Sequence, residues 1–301
     1  MERKLIRQGG GGFTIYLPKK WVEENNLSKG NELSLEASGK DLIISSKPSE
    51  KKSEILMKLP NYIENSIRTI ITNAYRSGYD KINIHFSNEN QFKILQNIIK
   101  TRLIGFEVIK KEKNFCIVEN ITEPTLDQFD NLLNKMFMNI EELFEVTKKR
   151  LTNNFKEIED FNEIEERIHK YDNFCRRVII KQKLIKQKSE MFWTFISQII
   201  HSQRELYFLN KIIDKNTKIS KQTLELFEEC NKAFNLMHEA YTKKDLDNLW
   251  KVQDIERNTI YKKAYSLMQS KNGKENIIIY HLTACLRQLN LSTSPLTGLI
   301  V

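Results

Sequence analysis

The chain has 301 residues, and its 48 lysines and arginines against 39 aspartates and glutamates give a formal net charge of +9. This length is enough for two or three domains, and the basic balance favours an anionic partner such as nucleic acid, a phosphate polymer or an acidic membrane surface. No apolar run is long enough to span a bilayer, which excludes a membrane-embedded channel or carrier.

The cysteines indicate the cellular compartment. They are far apart in the sequence and form no C-x-x-C pair: Cys116, Cys175, Cys230 and Cys285. This spacing argues against a disulfide framework or a structural zinc site and favours a reducing environment. The charged N-terminus does not have the pattern of a signal peptide. We therefore expect a cytoplasmic protein.

Residues 1–47 predict a small β-rich domain. The alternating apolar residues from Phe13 to Leu17 indicate a half-buried strand, and Pro18 opens a short helical turn. Further alternation at 33–37 and an apolar segment at 42–44 predict a hairpin. A unit of this size buries too little apolar surface to be stable alone, so we expect it to form a homodimer.

The order of these elements carries a resemblance. A strand, the four-glycine loop, a second strand ending in Leu-Pro-Lys-Lys-Trp, a short helix, a Lys-Gly-Asn-Glu-Leu block and a hairpin follow one another from Arg3 to Ser46. This arrangement resembles the AbrB/MazE/SpoVT family of swapped-hairpin DNA-binding domains. The resemblance implies that two chains interleave their hairpins into one small β-barrel head with a basic face on DNA.

The resemblance also implies which residues contact DNA. Phe13 and Thr14 stand where bacterial members often carry Gly-Arg, so one DNA-contacting arginine of the family is missing here. The matching basic positions are Arg3, Lys4, Arg7, Lys19 and Lys20.

Residues 53–121, after a predicted linker at 47–53, predict a small α/β connector module. Apolar residues at helical spacing precede Gly78, and the segment from Ile82 to Phe86 alternates as a strand. Ser87 is the predicted cap of a second helix, and a hairpin follows. This segment contains no catalytic constellation.

Residues 122–301 predict long amphipathic helices with almost no glycine. Three apolar stripes at helical spacing in 122–216 recur in 217–301, which favours two tandem three-helix bundles. The predicted fold class is therefore multidomain α+β: the swapped-hairpin head, the α/β module and an all-α half.

This helical half resembles the PhoU family of tandem three-helix bundles. The head, an α/β segment containing Ala-Tyr-Arg-Ser-Gly-Tyr-Asp and Leu-Ile-Gly-Phe-Glu-Val, and the helical repeat together resemble the archaeal phosphate-uptake-regulator arrangement. The resemblance implies control of phosphate transport and of phosphate-responsive genes. It also implies a transporter component or a signalling protein as a partner.

The PhoU resemblance further implies a metal site. Family members place Glu-x-x-x-Asp on the middle helix of each repeat to bind metal clusters. Here the aspartates match at Asp172 and Asp254, but Ile168 and Trp250 replace the glutamates. We therefore expect the clusters to be absent or reduced to one site.

A second pattern on the same helix keeps a metal site open. Glu165, His169 and Asp172 are three or four residues apart on one helix face, and such a row could bind zinc, iron or magnesium. A solvated polar face explains the same pattern.

The charges of that helix are segregated, with acidic residues near its start. This order complements the helix dipole, and a structural role accounts for it. The alternative is an end that docks an anion or a partner protein. The basic residues at that end are Arg176, Arg177, Lys181, Lys183, Lys186 and Lys188.

The motifs favour a regulator over an enzyme. The four-glycine loop lacks the lysine and the Ser/Thr of a phosphate-binding P-loop, and no nucleophile–base pair is present. The main hypothesis is a DNA-binding transcriptional regulator of phosphate uptake with the helical half as sensor or adaptor. One alternative is a transporter adaptor whose head serves only to dimerise, and another is a metal-binding storage or sensing protein.

Overall fold

The computed structural model describes residues 3–38, 41–46, 52–59, 64–122, 126–156, 158–182 and 188–301. The chain separates into two compact units, Met1–Lys52 and Ser53–Val301, and each is described by itself. Of the predicted linker at 47–53, residues 47–51 lie outside the described residues.

The N-terminal unit consists of two antiparallel strand pairs and one short helix. Arg7 pairs with Phe13 across the first strand pair, and Leu35 pairs with Ile44 across the second. The first pair is shorter than the sequence predicts. The elements are β1 (Ile6–Arg7), β2 (Phe13–Thr14), α1 (Lys19–Glu24), β3 (Leu33–Ser38) and β4 (Asp41–Ser46).

The β3–β4 hairpin has one apolar and one polar face. Residues directly opposite each other in an antiparallel pair lie on the same face, so the register places the Leu35–Ile44 pair and the Ala37–Leu42 pair together. Leu35 and Leu42 are 63% and 60% exposed, and no described residue of this unit is buried. The apolar face therefore has no cover within one chain.

The second unit begins with a four-stranded sheet and two helices. The elements are β5 (Glu54–Lys58), α2 (Glu64–Arg76), β6 (Lys81–His85), α3 (Glu89–Arg102), β7 (Phe106–Lys111) and β8 (Phe115–Asn120). The strand order is β5-β6-β8-β7, with β5 parallel to β6 and the other neighbours antiparallel.

Strand β5 is a feature that the sequence analysis missed. Ile55 and Met57 are half-buried against the sheet core, whereas Leu56 between them is 65% exposed. Three consecutive apolar residues hide the alternation that normally reveals a strand on the edge of a sheet. The backbone pairing with β6, and not the sequence pattern, therefore identifies residues 54–58 as a strand.

The cap of α3 also differs from the prediction, which placed it at Ser87. Asn88 is the N-cap, and its side chain accepts a hydrogen bond from the Gln91 backbone N–H at 3.0 Å. The Gln91 side chain in turn accepts from the Ser87 backbone N–H at 2.7 Å. These reciprocal contacts satisfy two donors at the helix start, so either polar residue looks like a cap in the sequence.

The remainder of the second unit is helical and contains one continuous hydrophobic core. A π-helical turn at Ile260–Ala264 joins the helices Leu246–Thr259 and Tyr265–Ser270, and the last helix, Gly273–Ile300, packs along the helix Ser189–Ile212. No helix in the described ranges is both long and apolar enough to cross a membrane. The helices are α4 (Leu126–Leu151), α5 (Phe161–Gln182), α6 (Ser189–Ile212), α7 (Lys221–Lys243), α8 (Leu246–Thr259), α9 (Tyr265–Ser270) and α10 (Gly273–Ile300).

The sheet and the helices belong to one compact unit, whereas the sequence predicts 53–121 and 122–301 as separate domains. Helices α2 and α3 both pack against α5, which contributes apolar residues to the helical core as well. The four cysteines are free thiols buried in this unit.

Candidate nucleic-acid interface

Five basic side chains of the N-terminal unit form the candidate interface. All of them are exposed. Arg7 lies on β1, and Lys19 and Lys20 begin α1. Exposed cations suit contact with DNA because backbone phosphate oxygens accept hydrogen bonds from arginine and lysine. We call these residues the N-terminal basic set: Arg3, Lys4, Arg7, Lys19 and Lys20.

Lys19 and Lys20 make weak contacts within α1. The Lys19 ammonium is 3.6 Å from a carboxylate oxygen of Glu23, and the Lys20 ammonium is 3.8 Å from one of Glu24. The lysine side chains are 90% and 87% exposed, and ion pairs at such exposure contribute little to stability in water. A phosphate could replace these contacts at small cost.

The glycine loop beside Arg7 leaves its backbone accessible. Gly10 and Gly11 have φ angles of 87° and 90°, which residues with side chains rarely adopt. The Gln8 N–H donates to the Gly12 carbonyl at 2.9 Å and closes the loop. The loop therefore lets a polyanion approach the main chain next to a cation.

The predicted metal row on α5 instead forms ion pairs with arginines. Asp172 is completely buried, and its two carboxylate oxygens accept hydrogen bonds from Arg76 at 2.8 Å and from Arg176 at 2.6 Å. A metal ion would have to displace both guanidinium groups. The aspartate that the PhoU resemblance offered as a ligand is therefore a structural anion.

The other predicted ligands do not complete a metal site. Glu165 accepts a hydrogen bond from Arg102 at 2.8 Å and lies 3.0 Å from His169, whereas Asp254 is exposed on α8. In the described part of the chain, no group of three or more His, Cys, Asp or Glu side chains could hold a metal ion. The metal prediction for these residues is corrected accordingly.

The predicted docking end of α5 is also corrected, because two of its cations are buried. Arg177 is completely buried, and its guanidinium donates to the carbonyl oxygens of Tyr75 and Tyr79 at 2.9 Å each. It also donates to the Asp80 carboxylate at 2.7 Å. Arg176 is 5% exposed, so neither arginine can dock an anion from solvent.

The remaining cations of this end have different positions. Lys181 pairs with the same Asp80 carboxylate, and Lys188 donates to the Leu299 carbonyl at 3.3 Å. Lys183 and Lys186 lie outside the described residues. Burial favours a raised pKa for Asp80, but hydrogen bonds from Lys181 and Ser53 outweigh it and hold the pKa below its ordinary value.

These contacts connect α5 to the sheet β5–β8 and its helices α2 and α3, which we call the sheet module. We call the contacts together the α5 junction. Both sides contribute carboxylates to the junction: Asp80 lies in the sheet module, and Glu165 and Asp172 lie on α5. The sequence does not reveal the partners from the module, because they lie 63 to 97 residues away along the chain. The junction consists of Arg76, Asp80, Arg102, Glu165, Asp172, Arg176 and Arg177.

Comparison with known proteins identifies the first unit. Residues 6–52 match the family described as antidote-toxin recognition MazE, bacterial antitoxin. The N-terminal unit carries a MazE-type domain. The match includes Arg7, Lys19 and Lys20 of the basic set. No curated protein and no solved structure matches this chain significantly.

Replacement of Asp172 by Asn should destabilise the second unit by about 3–5 kcal/mol, because it leaves the buried Arg176 and the partly buried Arg76 without their counter-ion. Chemical denaturation followed by far-ultraviolet circular dichroism would measure the free energy of unfolding. Glu228→Gln is the matched control, since its pair with Lys148 is 43–44% exposed and should be worth about 0–1 kcal/mol. Equal effects of the two substitutions would contradict the assigned role.

The α5 junction should also give the protein a specific acid sensitivity. Burial favours a raised pKa for Glu165, but its contacts with His169 and Arg102 lower the pKa from 4.5 to about 2. The carboxylate therefore contributes stability above about pH 4.5 that is lost as the pH falls towards 2.

Glu165→Gln should flatten the stability profile in that window. Urea titrations at several pH values would show this, with Glu225→Gln as a control for removal of an exposed carboxylate. Parallel profiles of the unaltered protein and the Glu165 variant would refute the assignment.

Proposed function

We propose that this protein is a dimeric DNA-binding regulator that contacts DNA with the N-terminal basic set. The match of residues 6–52 to the MazE family carries the proposal. The exposure of all five cations supports it, because an interface with phosphates requires cations that solvent can reach. In this proposal the protein binds and regulates and does not catalyse a reaction.

Dimerisation is part of the proposal because the N-terminal unit lacks an interior in its described part. Its large apolar side chains Phe13, Leu35 and Leu42 are each at least 60% exposed. A second copy supplies a surface of the same shape and polarity, and two hairpins packed face to face would bury both apolar faces. The swapped-hairpin barrel implied by the family resemblance is one arrangement that does so.

The second unit is proposed to act as a sensor or adaptor that controls the DNA-binding unit. Its long helices are compatible with the PhoU resemblance, which adds phosphate transport as the regulated process. A transporter component or signalling protein would be the partner in that case. In the adaptor alternative, the helices contact the same partner protein, but the N-terminal unit does not bind DNA.

A second candidate function follows from the description of the matched family. That description names recognition of a toxin, so the exposed apolar residues of the N-terminal unit could bind a different protein instead of a second copy. The oligomeric state of the purified protein separates the two candidates, because an antitoxin-like role places the partner protein on this surface.

Leu35→Lys combined with Leu42→Lys should convert the dimer to a monomer. The two charges would have to be buried at the apolar face of the hairpin, which is unfavourable without partners. Sedimentation velocity would measure the change. The control is Ser34→Lys combined with Ser45→Lys, an opposite pair on the polar face, which should remain dimeric. A monomeric unaltered protein would overturn the proposed dimer.

Lys19→Ala combined with Lys20→Ala should weaken binding to duplex DNA. The slope of log affinity against log salt should fall by about 1 for each lysine–phosphate ion pair that the substitutions remove. Mobility shifts at several salt concentrations would measure both quantities, with DNA from upstream of phosphate-transport genes and a scrambled duplex as the two substrates.

The matched control for this experiment is Lys221→Ala combined with Lys243→Ala. Both lysines are exposed and contact a glutamate four residues away, as Lys19 and Lys20 do, but they belong to the second unit. Equally weakened binding in both variants would place the DNA contacts elsewhere. Absence of salt-sensitive binding in the unaltered protein would favour the adaptor alternative.

A further inference from the structure

A polar cavity of about 180 Å³ lies where α2, α3, α5 and α6 meet in the second unit. Four guanidinium groups, one carboxylate and the His169 imidazole line it, together with hydroxyl and amide side chains. Each liquid water occupies about 30 Å³, and pockets for drug-sized ligands start at about 300 Å³. The cavity therefore has room for a small ion or a phosphoryl group.

Two of the arginines are held in place by the α5 junction. Arg102 is buried and donates to Glu165, and Arg76 donates to Asp172 at 2.8 Å and to the Asn173 side chain at 2.7 Å. Their guanidinium groups are therefore positioned before any ligand arrives. Pre-positioned donors lose little conformational entropy on binding, which favours affinity.

The other two arginines have no carboxylate partner within ion-pair distance in the described part of the chain. Arg68 donates to the Asn65 side chain at 2.7 Å, and the Arg204 guanidinium lies 5.7 Å from the centre of the Phe208 ring. Arg204 is exposed and Arg68 is half-buried. The cavity wall thus combines two fixed and two uncompensated positive charges.

We infer that this cavity binds a small tetrahedral oxyanion, such as inorganic phosphate or the phosphoryl group of a small phosphomonoester. Guanidinium groups donate paired hydrogen bonds that match phosphate oxygens, and an oxyanion would neutralise the excess positive charge. Glu165 repels an anion, but its carboxylate already pairs with Arg102 and His169. The other arginines that line the cavity come from two helices, Arg68 and Arg76 from α2 and Arg204 from α6.

The position of the cavity gives the bound anion a structural consequence. Arg68 and Arg76 come from the sheet module, whereas Arg204 comes from α6 of the helical part. An oxyanion held by both sides would bridge them beside the α5 junction. The site is independent of the N-terminal basic set, so it can bind its ligand whether or not the protein binds DNA.

Isothermal titration calorimetry of the full chain with inorganic phosphate, glycerol phosphate and chloride at matched ionic strength tests the inference. Saturable binding of phosphate or glycerol phosphate, but not of chloride, is expected. Tighter binding of glycerol phosphate would indicate a phosphorylated metabolite, and equal or tighter binding of inorganic phosphate would indicate the free ion. Absence of saturable binding by both oxyanions would overturn the site.

Arg68→Gln combined with Arg204→Gln should weaken phosphate binding by roughly tenfold for each guanidinium removed. Neither residue forms an ion pair that supports the fold in the described residues, and near-ultraviolet circular dichroism checks that the packing is retained. Arg257→Gln combined with Arg287→Gln removes the same charge from α8 and α10 and should leave binding unchanged. Equal affinities of the two double variants would overturn the site.

Discussion

The buried charges of the α5 junction constrain the second unit more than any other contact. Asp172 and Arg177 are completely buried, and burial of an ion is costly unless its partner lies within hydrogen-bonding distance. Each charge therefore fixes the position of its partner on the other side of the interface. The sheet module cannot shift along α5 without leaving a buried guanidinium or carboxylate unpaired, which explains why the module and the helices form one compact unit.

The two units are stabilised in different ways. The second unit has a continuous apolar core within its helices and a separate core between the sheet and α2 and α3. The N-terminal unit has no buried residue in its described part, although Phe13, Leu35 and Leu42 are large and apolar. In the proposed dimer, association of two chains supplies the missing interior. Under that proposal, the geometry of the basic surface depends on the dimeric state.

The cavity proposed to bind an oxyanion adjoins the α5 junction, and this proximity has a physical reason. Arginines that pair with buried carboxylates are rigid, and their remaining N–H groups can donate to a ligand. Arg76 and Arg102 therefore have two roles. They stabilise the fold by pairing with Asp172 and Glu165, and they also line the cavity. A ligand in this position contacts the sheet module and the helical part together, so its binding energy would act on their packing.

The sequence alone determined the features that depend on residues close together along the chain, namely the secondary-structure elements and the N-terminal domain type. The period of apolar residues predicted the β3–β4 hairpin and the long helices, and the motif order predicted the MazE-type domain later matched at residues 6–52. Tertiary structure alone decided the roles of the charges on α5. Glu165, His169 and Asp172 looked like metal ligands, and Arg176 and Arg177 like docking cations, until Arg76, Asp80 and Arg102 were brought beside them. The period of apolar residues shows which face of a helix is buried. It does not show the partner of a buried charge, because that partner lies tens of residues away along the chain and comes close only in the folded protein.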